Sequence, residues 1–285
     1  MLLTTFSRSP AQWEHVLCAA EESKAVYKPA ACSDGRHILK ETRTGSEKTT
    51  ILHRREVDGT PTVFISVRGS RSITDWMVNS NFELAPAEEL GNGMTCHTGF
   101  LSVARTMESR VFDAVNDIHS PTEAPINIVF TGHSAGAAVA QILFGFVHGR
   151  NTRLSALKGD RTVSCITFGG PPITSSPIVA PASSLFLSFA NEGDPVILAQ
   201  PSYIQTLWKV YAIAPASLEL PVSQYIWSGR CIILRDVAPD ESDKIDIKPF
   251  EVQLEILRNI LFGNPIMHSM TLYLERILLQ RELNY

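Results

Sequence analysis

The chain of 285 residues has no unbroken apolar stretch approaching the roughly 20 residues that a membrane-spanning helix needs. Its best candidate, Ala137 to Val147, is short and interrupted by Gln141. A basic stripe is missing too: 25 Lys and Arg are scattered among 29 Asp and Glu, a formal net charge of -4, which argues against a nucleic-acid backbone as partner. Cysteine is sparse. Cys18, Cys32, Cys96, Cys165 and Cys231 are odd in number, widely spaced and without a CxxC pair, so they read as reduced thiols, mostly in the core. The start of the chain lacks a basic leader, and Trp13, Glu14 and His15 cut its apolar run short. The expected location is therefore the cytoplasm or a lipid surface, with secretion still open if the N-terminus is incomplete. No repeat, low-complexity tract or Gly/Ser linker marks a boundary. With 44% hydrophobic and 19% charged residues, one large domain over residues 1–285 is expected.

Local patterns punctuate this domain. "SPAQWEHVLCAAEESKAVY" carries a Pro near its start and apolar residues at helical spacing, which predicts an N-terminal helix. "TTILHRREVDGTPTVFISVRG" reads as two strands joined through Asp58-Gly59, with Pro61 suited only to an edge or a strand start. Phe100, Val103, Met107, Val111, Val115 and Ile118 recur every three or four residues, as one buried helix stripe does. β-rich runs follow at "INIVFTG", "TVSCITFGG", "SLFLSFAN" and "RCIILRD", and "PFEVQLEILRNILFGNP" and "MTLYLERILLQREL" read as two late helices. Strands alternating with helices predict an α/β fold with a mainly parallel sheet covered on both faces and an antiparallel hairpin near its start.

One turn carries chemistry. "INIVFTGHSAGAAVAQILFG" is a strand, a tight Gly-His-Ser-Ala-Gly and a helix-forming run. A bare G-x-S-x-G arises by accident in about one chain in ten of this size, but the strand-turn-helix setting gives it a mechanical meaning. Gly132 and Gly136 let strand and helix approach closely, Ser134 stands on the turn, and the amide of Ala135 opens the helix toward any oxyanion formed there. The alternative is an ordinary glycine-flanked turn. A serine hydroxyl needs a base and an orienting carboxylate, which on this architecture follow in the order Ser, Asp, His. His15, His37, His53, His97 and His119 precede Ser134, and His148 lies on the helix leading away. His133 should point away from the site, leaving His268 in a loop between helices. Asp194, just past "LFLSFANEG", is the favoured carboxylate. Asp236 is its rival, and Asp240, Asp243 and Asp246 look like a solvated acidic loop.

These segments resemble the class 3, fungal-type lipases of the α/β-hydrolase fold. "VFISVRGSRSITDWMVNSNF", "CHTGFLSVARTM", "IVFTGHSAGAAVA", "SFANEGDPV" and "MHSMTLYL" resemble five separated family signatures in the right order. The resemblance implies Ser134 as nucleophile, Asp194 as orienting acid, His268 as base, and Ser70 beside the Ala135 amide as oxyanion donors. It gives His97 a structural place. It also implies a lid, in which Ile73, Trp76 and Met77 share one face of a short amphipathic helix; a surface helix packed on the core is the other reading. The implied activity is hydrolysis of acylglycerol esters, with a lipid ester as partner, a lipid-water interface as setting, and neither metal nor cofactor. A feruloyl-type or small-ester esterase, suggested by the Asn and Ser content of the lid segment, and a catalytically silent interaction module are the alternatives. Two departures stand out. "FGGPPITSSPI" replaces the family's Arg-Val-Gly type segment, and the 74 positions from Asp194 to His268 (268 − 194) imply an insertion around "DVAPDESDK".

Overall fold

Asp58 and Gly59 take positive φ, 50° and 71°, and close a two-residue hairpin between β3 (Thr50–Val57) and β4 (Thr60–Val67). Val57 faces Thr60 as the closing pair, so the next pair, Glu56 with Pro61, falls where an antiparallel ladder makes no hydrogen bond. Pro61 therefore sits at a strand start without costing the ladder a donor, as expected. The computed structural model describes residues 4–28, 35–41, 47–70, 83–119, 126–159, 161–213, 220, 222–237, 246–257 and 259–283.

The hairpin joins a nine-stranded sheet that also holds β1 (Thr4–Thr5), β2 (His37–Leu39), β7 (Asn127–His133), β8 (Val163–Phe168), β9 (Phe186–Asn191), β10 (Arg230–Val237) and β11 (Asp246–Val252). Strand order is β1-β11-β10-β9-β8-β7-β4-β3-β2. The five central strands β10, β9, β8, β7 and β4 are parallel; both margins are antiparallel. The far margin, β11 with β1, adds to the one hairpin anticipated. A separate ribbon pairs β5 (Leu84–Pro86) with β6 (Thr95–His97).

Alternation along the central strands feeds the two larger of three hydrophobic cores, the third holding Ala190, Cys231 and Ile233. Phe64, Val129, Ile166 and Phe189 pack with α1 (Pro10–Ala25) and α6 (Met270–Leu283) through Trp13, Leu17, Tyr273 and Ile277. Their neighbours Val63, Ile65, Ile128, Phe130 and Cys165 pack with α2 (Thr98–Ile118) and α3 (Ala135–His148). Each such large side chain, withdrawn from water, contributes about 1.5–3 kcal/mol. Helix α1 starts where its capping box predicts: Ser9 accepts from the Gln12 amide and Gln12 answers to the Ser9 amide. Helix α3 is buried on every side from Ala135 to Val147. Gln141, which breaks its apolar run, donates to Thr167 and Ser188 hydroxyls at 3.1 and 3.3 Å.

One late helix is corrected. "PFEVQLEILRNILFGNP" begins inside β11, which runs to Val252, and the helical part, α5, is only Leu254–Leu257. Pairing with β10 and β1 satisfies the backbone of that segment and buries Ile247 and Val252, which outweighs the mixed helical periodicity. Asp246 opens β11 and pairs with Lys248 at 3.4 Å instead of lying in an acidic loop. Asp240 and Asp243 lie outside the described residues. Helix α4 (Pro201–Ile213), which the sequence patterns did not reveal, buries Tyr203 and Leu207 beyond the end of β9. Cys18, Cys96, Cys165 and Cys231 are buried free thiols; Cys32 is outside the described residues.

Candidate active site

The end of β7 is where the backbone is forced. Ser134 takes φ 60° and ψ −132°, a conformation that non-glycine residues avoid. Two glycines hold it there. A Cβ at Gly132 would stand 2.7 Å from the Gly136 carbonyl group, and one at Gly136 would stand 2.8 Å from Arg68 C and Gly69 N while striking the Val67 carbonyl oxygen. The ends of β4 and β7 and the first turn of α3 thus touch backbone to backbone. A serine at the head of a helix ordinarily spends its hydroxyl capping that helix. Here the twisted backbone turns the side chain away and no cap bond forms, although the Ser134 carbonyl still accepts from Ala137 and Ala138. Ser134 Oγ is left for other work.

Asp194 and His268 arrive from loops beyond β9 and before α6. Asp194 is fully buried, and its carboxylate is held on both oxygens. Oδ1 accepts from the Val196 amide at 2.8 Å; Oδ2 accepts from His268 Nδ1 at 2.8 Å and from the Tyr273 hydroxyl at 2.7 Å. His268 closes a 3-10 turn, Pro265–His268, that Asn264 caps through its bond from the Ile266 amide. With Nδ1–H committed to Asp194, the imidazole presents a bare Nε2, buried and without a hydrogen-bond partner among the described residues. Gly169, at φ 57°, makes room: a Cβ there would lie 3.0 Å from Asp194 Oδ2 and 3.1 Å from the His268 ring. Asp236, the rival carboxylate, is instead bound to Arg276 at 2.6 Å on a partly exposed margin.

Ser134, His268 and Ser70 line one cleft of about 550 Å³. Gly69, whose missing Cβ would meet Ser134 Cβ at 3.2 Å, brings the β4 end against the elbow. Ala135 is the first residue of α3, so its amide is among the donors a helix start leaves unpaired. Ile73, Trp76 and Met77 lie outside the described residues. His97 caps α2, accepting from the Gly99 amide at 3.2 Å, and burial pushes its pKa down to about 4.

Three site residues escaped the sequence patterns. His133 does not point away from the site. It lies against His268 with ring centroids 4.5 Å apart, donates Nε2–H to the His268 carbonyl at 2.7 Å, and takes the Tyr27 hydroxyl at 2.9 Å on Nδ1. Complete burial, and then the nearby His268, hold it far toward the neutral form, which this donor-acceptor pattern requires. Tyr27 comes from the turn after α1, and Tyr273 from α6. The only signal for Tyr273 was a tyrosine on the apolar face of a helix, whose buried hydroxyl must find a partner.

The chain is similar to several known proteins. A family described as lipase (class 3) matches residues 64–202. A secreted mono- and diacylglycerol lipase 1 of Fusarium solani is 30% identical over 132 residues, 46% of this chain; the chain thus matches only 37% of that protein's length. In structure, the lipase propeptide complex of Rhizomucor miehei aligns with a TM-score of 0.64 at 16% identity, over 93% of this chain and 79% of that one. The lipase of Rhizopus microsporus var. chinensis gives 0.60 at 15% identity, over 93% and 88%. At such identities the structures speak for the fold.

Proposed function

We propose that this protein is a serine carboxylester hydrolase of the class 3 lipase kind acting on acylglycerol esters, a reading supported by the family match over residues 64–202 and by the α/β-hydrolase fold. The observation that carries this reading is the buried Asp194–His268 pair, with the free His268 Nε2 in the same cleft as an uncapped Ser134. Ser134 Oγ attacks the ester carbonyl while His268 Nε2 takes its proton. Asp194, 2.8 Å from Nδ1, stabilises the imidazolium that forms. The Ala135 amide and Ser70 stabilise the oxyanion, and collapse of the tetrahedral adduct expels the alcohol, which takes the proton from His268. Water, activated by the same imidazole, then releases the fatty acid and restores Ser134. The hydroxyl-to-imidazole bond is not made in the free protein, and such bonds often tighten only once substrate is bound.

The setting we assign is a lipid-water interface, in the cytoplasm or on a lipid surface, with secretion as the alternative. Among the described residues no helix is long and apolar enough to cross a membrane. Cell fractionation tests the location, and an activity jump with emulsified over dissolved ester tests the interface. The reaction is tested with a p-nitrophenyl ester: Ser134→Ala should abolish turnover, and a purified variant that still turns over would refute the assignment. A marked preference for short dissolved esters, with no rise at an interface, would favour a small-ester esterase on the same scaffold.

A further inference from the structure

The cleft at Ser134 differs in charge from the molecule around it. The chain is net acidic at -4, yet the described lining of this cleft holds two lysines, Lys24 and Lys28, and no carboxylate. Among the described residues, the nearby acids are engaged elsewhere. Glu21 binds Arg55 at 2.7 Å, and the buried Glu22 binds His53, Arg55 and Arg36 at 2.8, 3.3 and 3.4 Å. Glu41 is paired with Arg68. Lys24 and Lys28 are exposed, and among the described residues neither meets a carboxylate.

Their position is fixed from below. Ser23, next to Lys24, is fully buried and bonds its hydroxyl to that of Thr131 at 2.8 Å. Tyr27, next to Lys28, bonds to His133 at 2.9 Å. The two lysine-bearing positions are thus pinned to the β7 residues that lead into Ser134. The other wall, from the segment before and at the start of α6, supplies the apolar side chains Pro265, Met270 and Ile266, the last at 73% exposure, beside the polar His268, Ser269 and Thr271. A cleft with ammonium groups from one element and apolar side chains from another suits a molecule with a charged end and a greasy end.

Resting on the hydrolase reading above, we propose that the preferred substrates are acyl esters with an anionic head group, of the phosphate-monoester kind, and that Lys24 and Lys28 determine this preference. A phosphate monoester carries close to two negative charges at neutral pH. Two ammonium groups at an open cleft mouth give it a screened attraction of a size that separates charged from neutral substrates about tenfold at low salt.

The test compares kcat/KM for monohexanoylglycerol and for its phosphate monoester, both dissolved as monomers, in the wild type and in Lys24→Gln/Lys28→Gln. The wild type should favour the phosphate ester about tenfold at low salt, with the ratio shrinking as salt rises. In the double variant the ratio should fall toward one and lose its salt dependence. A wild-type ratio of one or less, or a ratio unchanged by the double substitution, overturns the proposal. A preference seen only for neutral ester embedded in anionic vesicles also overturns it, since the lysines would then be reading the surface rather than the head group. Calorimetric titration with the non-hydrolysable hexyl ether of glycerol phosphate separates the two readings. Binding that the double variant loses, with no ester turned over, leaves the anion site standing and the hydrolase reading refuted; no binding refutes the anion site whatever the turnover.

Discussion

Tyr273 donates its hydroxyl to the very oxygen of Asp194 that receives the His268 proton, at 2.7 Å against 2.8 Å. The same phenol oxygen accepts the buried Asn191 amide at 2.9 Å, so one hydroxyl steadies both the carboxylate and the end of β9. Burial, followed by the charge of Asp194, pushes the phenol's pKa well above its ordinary value, so it stays a donor at any working pH.

Tyr273→Phe removes a bond to a charged acceptor, worth about 1.5–3 kcal/mol, and strands the Asn191 amide, a further cost of about 1–3 kcal/mol. Ester hydrolysis should fall by about tenfold or more in kcat, with the urea midpoint lowered. Kinetics at wild-type level in the variant would show that Asp194 needs no third partner.

Ser134→Gly should abolish hydrolysis yet raise stability. A side chain held at φ 60° and ψ −132° costs about 1–3 kcal/mol, of which glycine returns all but the roughly 0.5–1 kcal/mol it adds to the entropy of the unfolded chain. Thermal melting of the variant about 1 kcal/mol above the wild type is the expected result; a lower melting temperature would mean that the elbow is unstrained.

Gly136→Ala tests the same elbow from the other side. The new methyl group would lie 2.8 Å from Arg68 C and Gly69 N, backbone that cannot rotate away, so the end of β4 must move. The expected loss is about 3 kcal/mol or more, the upper end for overpacking. Unfolding by denaturant measures it, and a loss under about 1 kcal/mol would show the β4 end to be adaptable.

Acid should weaken the fold through its buried imidazoles. His97 and His148 are pushed down to about 4, both first by burial and His148 also by Lys158, and His133 is driven lower than its ordinary 6.5 by burial and His268. The unfolded chain takes up these protons at about 6.5 while the folded one does not. Their contribution is therefore complete above about pH 6.5 and drains away as pH falls toward 4. Urea midpoints should drop across that window, and His97→Gln should flatten the drop. An equal slope in wild type and variant would remove His97 from the account.

Much of this was legible because it is local. The elbow is a five-residue matter of glycine and strand-helix context, and Asp58-Gly59 fixes its hairpin without help from the rest of the chain. Asp194 and His268 were legible at longer range only because one serine in that setting demands two partners downstream in a known order. β11 was misread because "PFEVQLEIL" supports either period, and what decides it is the neighbouring strand, 15 residues away where Leu234 faces Pro249. The contacts Tyr27–His133 and His133–His268 span 106 and 135 positions. No periodicity reports such pairs, since they exist only once α1 and α6 lie side by side on the sheet.

The bond from His133 to the His268 carbonyl ties the residue before the elbow serine to the backbone of the proposed base. The proposed nucleophile and the proposed base are therefore tied to one frame. On the proposed mechanism their mutual alignment is settled when the chain folds, not each time a substrate arrives, and an incoming ester has only the Ser134-to-His268 proton contact left to complete.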